Sequence, residues 1–312
     1  MQNTGMAAIA GYLAPMPQCP LCAGKSWRKI YDLGLLKVQK CTQCAMIFMD
    51  PFLSPEGMKK IFSSPELLGS VNQFLADYGN SATWETPRTL AIYRQVIRKI
   101  TEDRLGGPGK ILDIGCGMGT FLKCAVERGW KSFGLEPNCA NREKLRTKHG
   151  IEVFEDDFFT GTIPEKDFDA VALWDLIEHV PNPEAWVRRC GSFLKPGGVL
   201  IIATPNHFSL LDFLADLAYR LTGGHFTYPL KKLYTMDHTL FFTHKTLGRL
   251  LLKEGFSIEH RVKVNTDLAR YPAGPFFRVF AEILLGAAGL LGLQNRVIVL
   301  AKNLAGRPAI KL

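Results

Sequence analysis

From Lys110 onward, short apolar runs alternate with stretches whose apolar positions recur at helical spacing. The runs "KILDIG", "SFGLEP", "EVFEDDF", "FDAVALWD" and "GGVLIIATP" read as strands. Between them "TFLKCAVERG", "NCANREKLRTKHG" and a segment from about Pro183 to Leu194 read as helices. Regular alternation of this kind predicts an α/β fold with a doubly wound, mainly parallel sheet. The sheet becomes seven-stranded when "FSIEHRVKV" and "RVIVLAKN" are taken as its last two strands. Upstream, "TPRTLAIYRQVIRKI" predicts an opening helix, with Thr86 as N-cap and Pro87 at the first helical position. The expected organisation is a small module over residues 15–50, a Pro-, Ser- and Gly-containing linker over 51–84, and a main domain over 85–312.

Two apolar insertions interrupt that rhythm, at about 206–235 and 268–293. In "FSLLDFLADLAYRLTGG" the residues Asp212, Asp216 and Arg220 fall four apart, which leaves one narrow polar stripe on an apolar helix. In "YPAGPFFRVFAEILLGAAGLLGLQ" Arg278 and Glu282 pair at the same spacing. Both stretches are too short and too charged to span a bilayer, but they suit helices lying in a lipid interface. The other expectation is that they pack on each other or across an oligomer.

Composition narrows the class. The chain of 312 residues is 47% hydrophobic and 21% charged, an ordinary globular balance. Its start, "MQNTGMAAIAGYLAPM", lacks a basic leader and a cleavage site, so a cytoplasmic location with reduced cysteines is expected. The net charge is +9, and residues 206–312 hold 14 Lys and Arg against 7 Asp and Glu. That excess is scattered among apolar segments, which points to a membrane surface rather than a nucleic acid.

Two CxxC pairs, Cys19 with Cys22 and Cys41 with Cys44, flank a stretch able to form a hairpin. Four thiolates at this spacing predict a closed tetrahedral zinc site. With no open position for water, that zinc is expected to be structural.

The loop "DIGCGMG" follows the first strand of the main domain and carries Gly115, Gly117 and Gly119 after Asp113. Its G-x-G-x-G spacing differs from the dinucleotide fingerprint, and no Lys-Ser/Thr pair follows to make a P-loop. A carboxylate at Asp113 repels a pyrophosphate but accepts from an ammonium. The expected ligand is therefore nucleoside-like, amine-bearing and free of phosphate. Glu136 ends the second strand, where it can accept both ribose hydroxyls. Asp156 and Asp157 follow the third strand and can accept from an adenine amino group.

At these residues the sequence resembles the class I S-adenosylmethionine-dependent methyltransferases. The likeness covers roughly residues 85–312, through "ILDIGCGMGTF", "GLEPN", "FDAVALWDLIEHVPNP", "FLKPGGVLIIATPN" and "FFTHKTLGRLLLKEGF". It implies that the glycine loop cradles the methionine part of S-adenosylmethionine, with Asp113 near its amino group. It also implies Glu136 on the ribose, Asp157 or Asp156 on the adenine, and Cys116, Pro137 and Trp174 as further cofactor contacts. "IEHVPNP" is similar to quinone-biosynthesis O-methyltransferases, and the four-cysteine front end to the zinc modules of certain sugar methyltransferases.

Methyl transfer to a hydroxyl needs a base. "WDLIEHV" brings Asp175, Glu178 and His179 toward the cofactor end of the sheet, with His179 the leading candidate. Resemblance to the quinone enzymes also allows these three residues to bind a divalent cation. "YTMDHTLFFT" adds Tyr234 and His238 over the acceptor pocket, and His225 in "GGHFTY" is a further candidate. The sequence lacks the Asn/Asp-Pro-Pro-aromatic signature of base-amine methylation after its fourth strand. The expected acceptor is small or lipid-linked, with oxygen first and a sugar carbon second as target. A zinc-guided nucleic-acid methyltransferase and a non-catalytic cofactor-binding scaffold are the alternatives.

Overall fold

The computed structural model describes residues 10–62, 67, 85–102, 107–155, 158–161, 163–270 and 274–304. The front of the chain forms β1 (Leu13–Ala14), β2 (Trp27–Asp32), β3 (Lys37–Cys41), β4 (Ile47–Asp50), β5 (Phe52–Leu53) and helix α1 (Pro55–Phe62). Strands β2, β3 and β4 pair in antiparallel order, so the stretch between the CxxC pairs is the expected hairpin. Because β5 pairs with β1, regular structure runs past residue 50 into the stretch expected to be a linker. Residues 63–66 and 68–84 of that stretch lie outside the described residues.

The main domain begins with α2 (Pro87–Ile100), where Thr86 Oγ1 accepts from the Thr89 amide at 3.2 Å as an N-cap. There follow β6 (Lys110–Ile114), α3 (Thr120–Val126), β7 (Lys131–Leu135), α4 (Cys139–His149), β8 (Glu152–Phe154) and β9 (Phe168–Trp174). The chain continues through α5 (Pro183–Phe193), β10 (Leu194–Pro205), α6 (Leu210–Leu221), α7 (Tyr228–Leu233), β11 (Leu240–Phe241) and α8 (His244–Lys253). It closes with β12 (Phe256–Val264), α9 (Pro275–Leu290) and β13 (Arg296–Asn303).

Seven strands form one sheet in the order β12-β13-β10-β9-β6-β7-β8. Strands β6 to β10 run parallel, and β13 inserts antiparallel between β10 and β12. The winding reverses between β6 and β9, and such a reversal opens a ligand crevice beyond the carboxyl ends of the strands. The central strands are buried on both faces, with Ile111, Leu112, Val171, Leu173, Leu200 and Ile201 all sealed from solvent. Each such side chain contributes about 1.5–3 kcal/mol of burial, so the sheet is a rigid floor for whatever its loops hold.

The front module is joined to this floor through a shared sheet. Leu240 and Phe241 of β11 pair with Phe48 and Ile47 of β4, giving a second sheet ordered β11-β4-β3-β2. Arg249 of α8 donates to the Cys44 carbonyl at 2.7 Å, and the Met49 amide donates to the Thr239 carbonyl at 2.9 Å. Trp27 packs edge-on against Phe48, and Lys29 pairs with Asp32 on the exposed surface of β2.

Helix α6 is turned the opposite way from an ordinary surface helix. Its stripe faces the protein at two positions: Asp212 accepts from Tyr234, and Asp216 accepts from Tyr31 Oη of β2 at 3.0 Å. Phe213, Leu214, Leu217 and Leu221 face outward and are exposed. Helix α9 touches α6 and likewise exposes Phe276, Val279, Phe280 and Ile283. Among the described residues no helix is long and apolar enough to cross a membrane.

Candidate functional site

The glycine loop follows β6 at the crevice. Gly115, Gly117 and Gly119 have φ of 71°, 53° and 69°, backbone that side-chain-bearing residues rarely adopt. A Cβ at Gly119 would stand 2.3 Å from Leu145 Cδ2, so the loop is also pressed against α4. Asp113 is buried, and its Oδ1 makes no hydrogen bond among the described residues. Burial, and the neighbouring charge of Glu136, push the Asp113 carboxyl well above the usual carboxylate range. A buried carboxyl with an open oxygen is suited to a cationic partner such as an ammonium.

Glu136 follows β7. Its Oε2 accepts from the Gly117 amide and its Oε1 from the Asn138 amide, both at 2.9 Å. Burial raises its pKa, and those amide bonds pull the other way. A carboxylate has about four acceptor positions, so these bonds leave acceptor capacity for a ribose hydroxyl. The Pro137 carbonyl accepts from Arg142 at 2.7 Å, which pins the turn after Glu136. The Cys116 thiol lies where a Cβ on Gly134 would come within 2.6 Å. Trp174 meets Tyr93 edge to face and Phe121 at a tilt, and its buried indole Nε1 has no partner among the described residues. The glycine cradle and the orphaned Asp113 and Trp174 atoms fit a nucleoside-like, amine-bearing cofactor. Asp156 and Asp157 lie outside the described residues.

The acceptor end starts where β9 stops. Asp175 has φ of 51°, a strained conformation for a residue with a side chain, and is ion-paired to Arg296 of β13. Burial pushes its carboxyl up, but Arg296 and Arg270 outweigh this and hold it below the usual range. Asp175 is thus tied to an arginine; its charge still reaches Glu178, His179 and His238, but its oxygens are not among the ligand atoms that gather there. The gathered atoms are those of Glu178, His179 and His238, which lie within 4.8 Å of one another.

Local structure explains the gathering. The Glu178 carbonyl accepts from the amides of Thr239 and Leu240, both at 2.9 Å. His179 Nδ1 is 2.6 Å from the Asp237 carbonyl, and the His179 and His238 rings meet edge to face at 4.8 Å. Glu178 Oε2 accepts from Thr204 Oγ1 of β10 at 2.9 Å. Burial pushes the Glu178 carboxyl up to about 7 and the His238 imidazole down to about 4. His238 is therefore neutral near pH 7. Such a set can orient an acceptor, take up a proton, or hold a divalent cation.

Tyr234 is buried, with its hydroxyl donating to Asp212 Oδ1 at 3.3 Å. His225 lies exposed in the turn after α6. The sequence reading missed His207, directly after β10, whose Nδ1 is 3.1 Å from Asp212 Oδ1. Its place at the end of the strand neighbouring β9 was the available signal.

At the front, Cys19 and Cys44 have their sulfurs 3.4 Å apart and Cys22 and Cys41 3.6 Å, and all four lie within 4.8 Å of one another. Zinc–thiolate bonds of about 2.3 Å give a tetrahedron with edges of about 3.8 Å, so the four thiols fit a closed zinc site.

Comparison with known proteins bears on the family and the fold. The profile of a family described as a methyltransferase domain matches residues 85–261. A ubiquinone biosynthesis O-methyltransferase of Coxiella burnetii is 27% identical over 222 residues, 66% of this chain and 90% of that protein. The Chromobacterium violaceum protein of the same name is 28% identical over 160 residues, 48% of this chain and 65% of its own length. Among solved structures, the 1,6-didemethyltoxoflavin N1-methyltransferase of Burkholderia thailandensis, with S-adenosylhomocysteine bound, shares the fold. It superposes with a TM-score of 0.51 at 14% identity, covering 88% of this chain and 97% of that one.

Proposed function

The chain belongs to the methyltransferase-domain family and is an S-adenosylmethionine-dependent methyltransferase; we propose that it methylates an oxygen of a small or lipid-linked acceptor at a membrane surface. The cofactor supplies an electrophilic methyl group on a sulfonium. In this reading Asp113 receives the cofactor's ammonium, Glu136 its ribose hydroxyls, and Asp156 or Asp157 its adenine. The Gly115–Gly119 loop admits the methionine part because no Cβ fills it. His179, donating Nδ1–H to the Asp237 carbonyl, turns Nε2 toward the acceptor and takes its proton. Cys19, Cys22, Cys41 and Cys44 hold a structural zinc that keeps β4 in place beneath β11.

Oxygen as the target is supported by the imidazole cluster and by the names of the relatives. The observation that carries the membrane reading is the inverted α6. Its two acids serve the protein interior while Leu217, 52% exposed, and its neighbours face out beside the exposed face of α9. Each such side chain moved into lipid contributes about 1.5–3 kcal/mol.

The test incubates the zinc-loaded protein with methyl-labelled S-adenosylmethionine and a total membrane lipid extract. Label should enter the organic phase as an alkali-stable ether. Co-sedimentation with phosphatidylcholine–phosphatidylglycerol vesicles should fall in Leu217→Glu combined with Ile283→Glu. Label confined to water-soluble products, with unchanged sedimentation of the variant, would contradict the membrane reading.

A further inference from the structure

Helix α6 has an inner face that none of the roles above uses. Asp212, on its first turn, accepts from His207 Nδ1 at 3.1 Å and also from Ser209 Oγ and Tyr234 Oη. A carboxylate placed there draws the imidazole proton to Nδ1 and leaves a lone pair on Nε2. Among the described residues that Nε2 is buried and makes no hydrogen bond. A buried polar atom left unpaired costs about 1–3 kcal/mol, so a group from outside the chain, a water or a ligand, completes it. The ring is not free to turn away. The His207 amide donates to the Phe242 carbonyl at 2.8 Å, and the imidazole is wedged between Tyr234 and Phe241 at 4.9 and 5.0 Å.

His207 follows β10, the parallel neighbour of β9, whose own end carries His179. Phe241 lies 5.0 Å from the His207 ring and 6.4 Å from the His238 ring, so two imidazoles from separate segments converge on one phenyl ring. We infer that His207, oriented by Asp212, is a second acceptor-binding group that receives a hydrogen bond from a polar hydrogen of the acceptor through Nε2. Asp212 is its positioning residue. The inference rests on the acceptor-methylation reading above and adds to it a residue that selects acceptors with a hydrogen-bond donor. It also explains why α6 keeps its acids inward: one helix presents its outer side to lipid and braces the acceptor site with its inner side.

The test records imidazole nitrogen spectra of the ¹⁵N-labelled, zinc-loaded full chain with S-adenosylhomocysteine, before and after addition of 4-hexylphenol. His207 should carry its proton on Nδ1, and its bare Nε2 should shift on addition of the phenol. Asp212→Asn should lose that shift, while Asp216→Asn, on the same helix but bonded to Tyr31, should keep it. Calorimetric binding of S-adenosylhomocysteine to the same sample separates the two readings. Intact cofactor binding with an unmoved His207, or with the proton on Nε2, overturns this inference alone; absent cofactor binding overturns both.

Discussion

The proposed cofactor end and the proposed acceptor end of this enzyme are built in different ways. The cofactor end is local in the chain: Asp113, the three glycines and Glu136 come from one strand, one turn and the next strand. The acceptor end is assembled from distant segments, with Glu178 and His179 after β9, Thr204 and His207 at β10, Tyr234 to Phe241, and Arg296 on β13. Its loop is in turn paired to the cysteine module through β4 and β11. A local site is held by backbone geometry, whereas an assembled site depends on every element that brings its parts together. The two ends should therefore fail separately.

The largest separation is expected at the proposed zinc site. The four thiols tie the turns that flank the β2–β3 hairpin, and β4 of that module pairs with β11, so losing the metal should loosen the segment that carries His238. Chelation, or Cys41→Ser, should reduce methyl transfer to background while S-adenosylhomocysteine affinity changes by less than about 0.5 kcal/mol, as for sites with no shared partner. Equal loss of both, by transfer assay and calorimetry, would break the comparison. Next, His179→Ala should lower kcat by about 10²–10⁴ with cofactor affinity intact; normal turnover would remove His179 as the base. In the other direction, Gly119→Ala places a Cβ against Leu145 at positive φ. It should cost about 2–4 kcal/mol in a denaturant melt and weaken cofactor binding.

The smallest effect is a pH dependence. Burial holds the Glu178 carboxyl at about 7 in the folded chain, against an ordinary 4.5. The folded state then binds the proton more tightly, so stability falls as pH rises from about 4.5 through 7, by an amount on the order of 1–3 kcal/mol. Glu178→Gln should flatten that slope in urea melts at pH 5 and pH 8. An unchanged slope would mean that other groups set it.

The same contrast decides what was legible in the sequence. Strand periodicity, the Thr86 cap and the glycine spacing are local signals, and the sheet, α2 and the loop conformation follow them. The hairpin between the CxxC pairs was readable for the same reason. The pairing of β11 with β4 was not, because a two-residue strand has no periodicity to detect. The polar stripe on α6 was visible, but its direction was not: only the placement of Tyr31 and His207 shows that it faces inward. Asp175 stands beside Glu178 in the motif, but its ion-pair partner Arg296 comes from far along the chain and no local pattern announces it.

The most direct test of the account is calorimetric titration of the zinc-loaded protein and of Glu136→Ala with S-adenosylhomocysteine and with NAD. Each ribose hydroxyl bonded to a charged carboxylate contributes about 1.5–3 kcal/mol, so the variant should bind S-adenosylhomocysteine at least about tenfold more weakly. The parent protein should not bind NAD. Binding of NAD, or undiminished affinity in Glu136→Ala, would contradict the assignment of this loop to a sulfonium nucleoside.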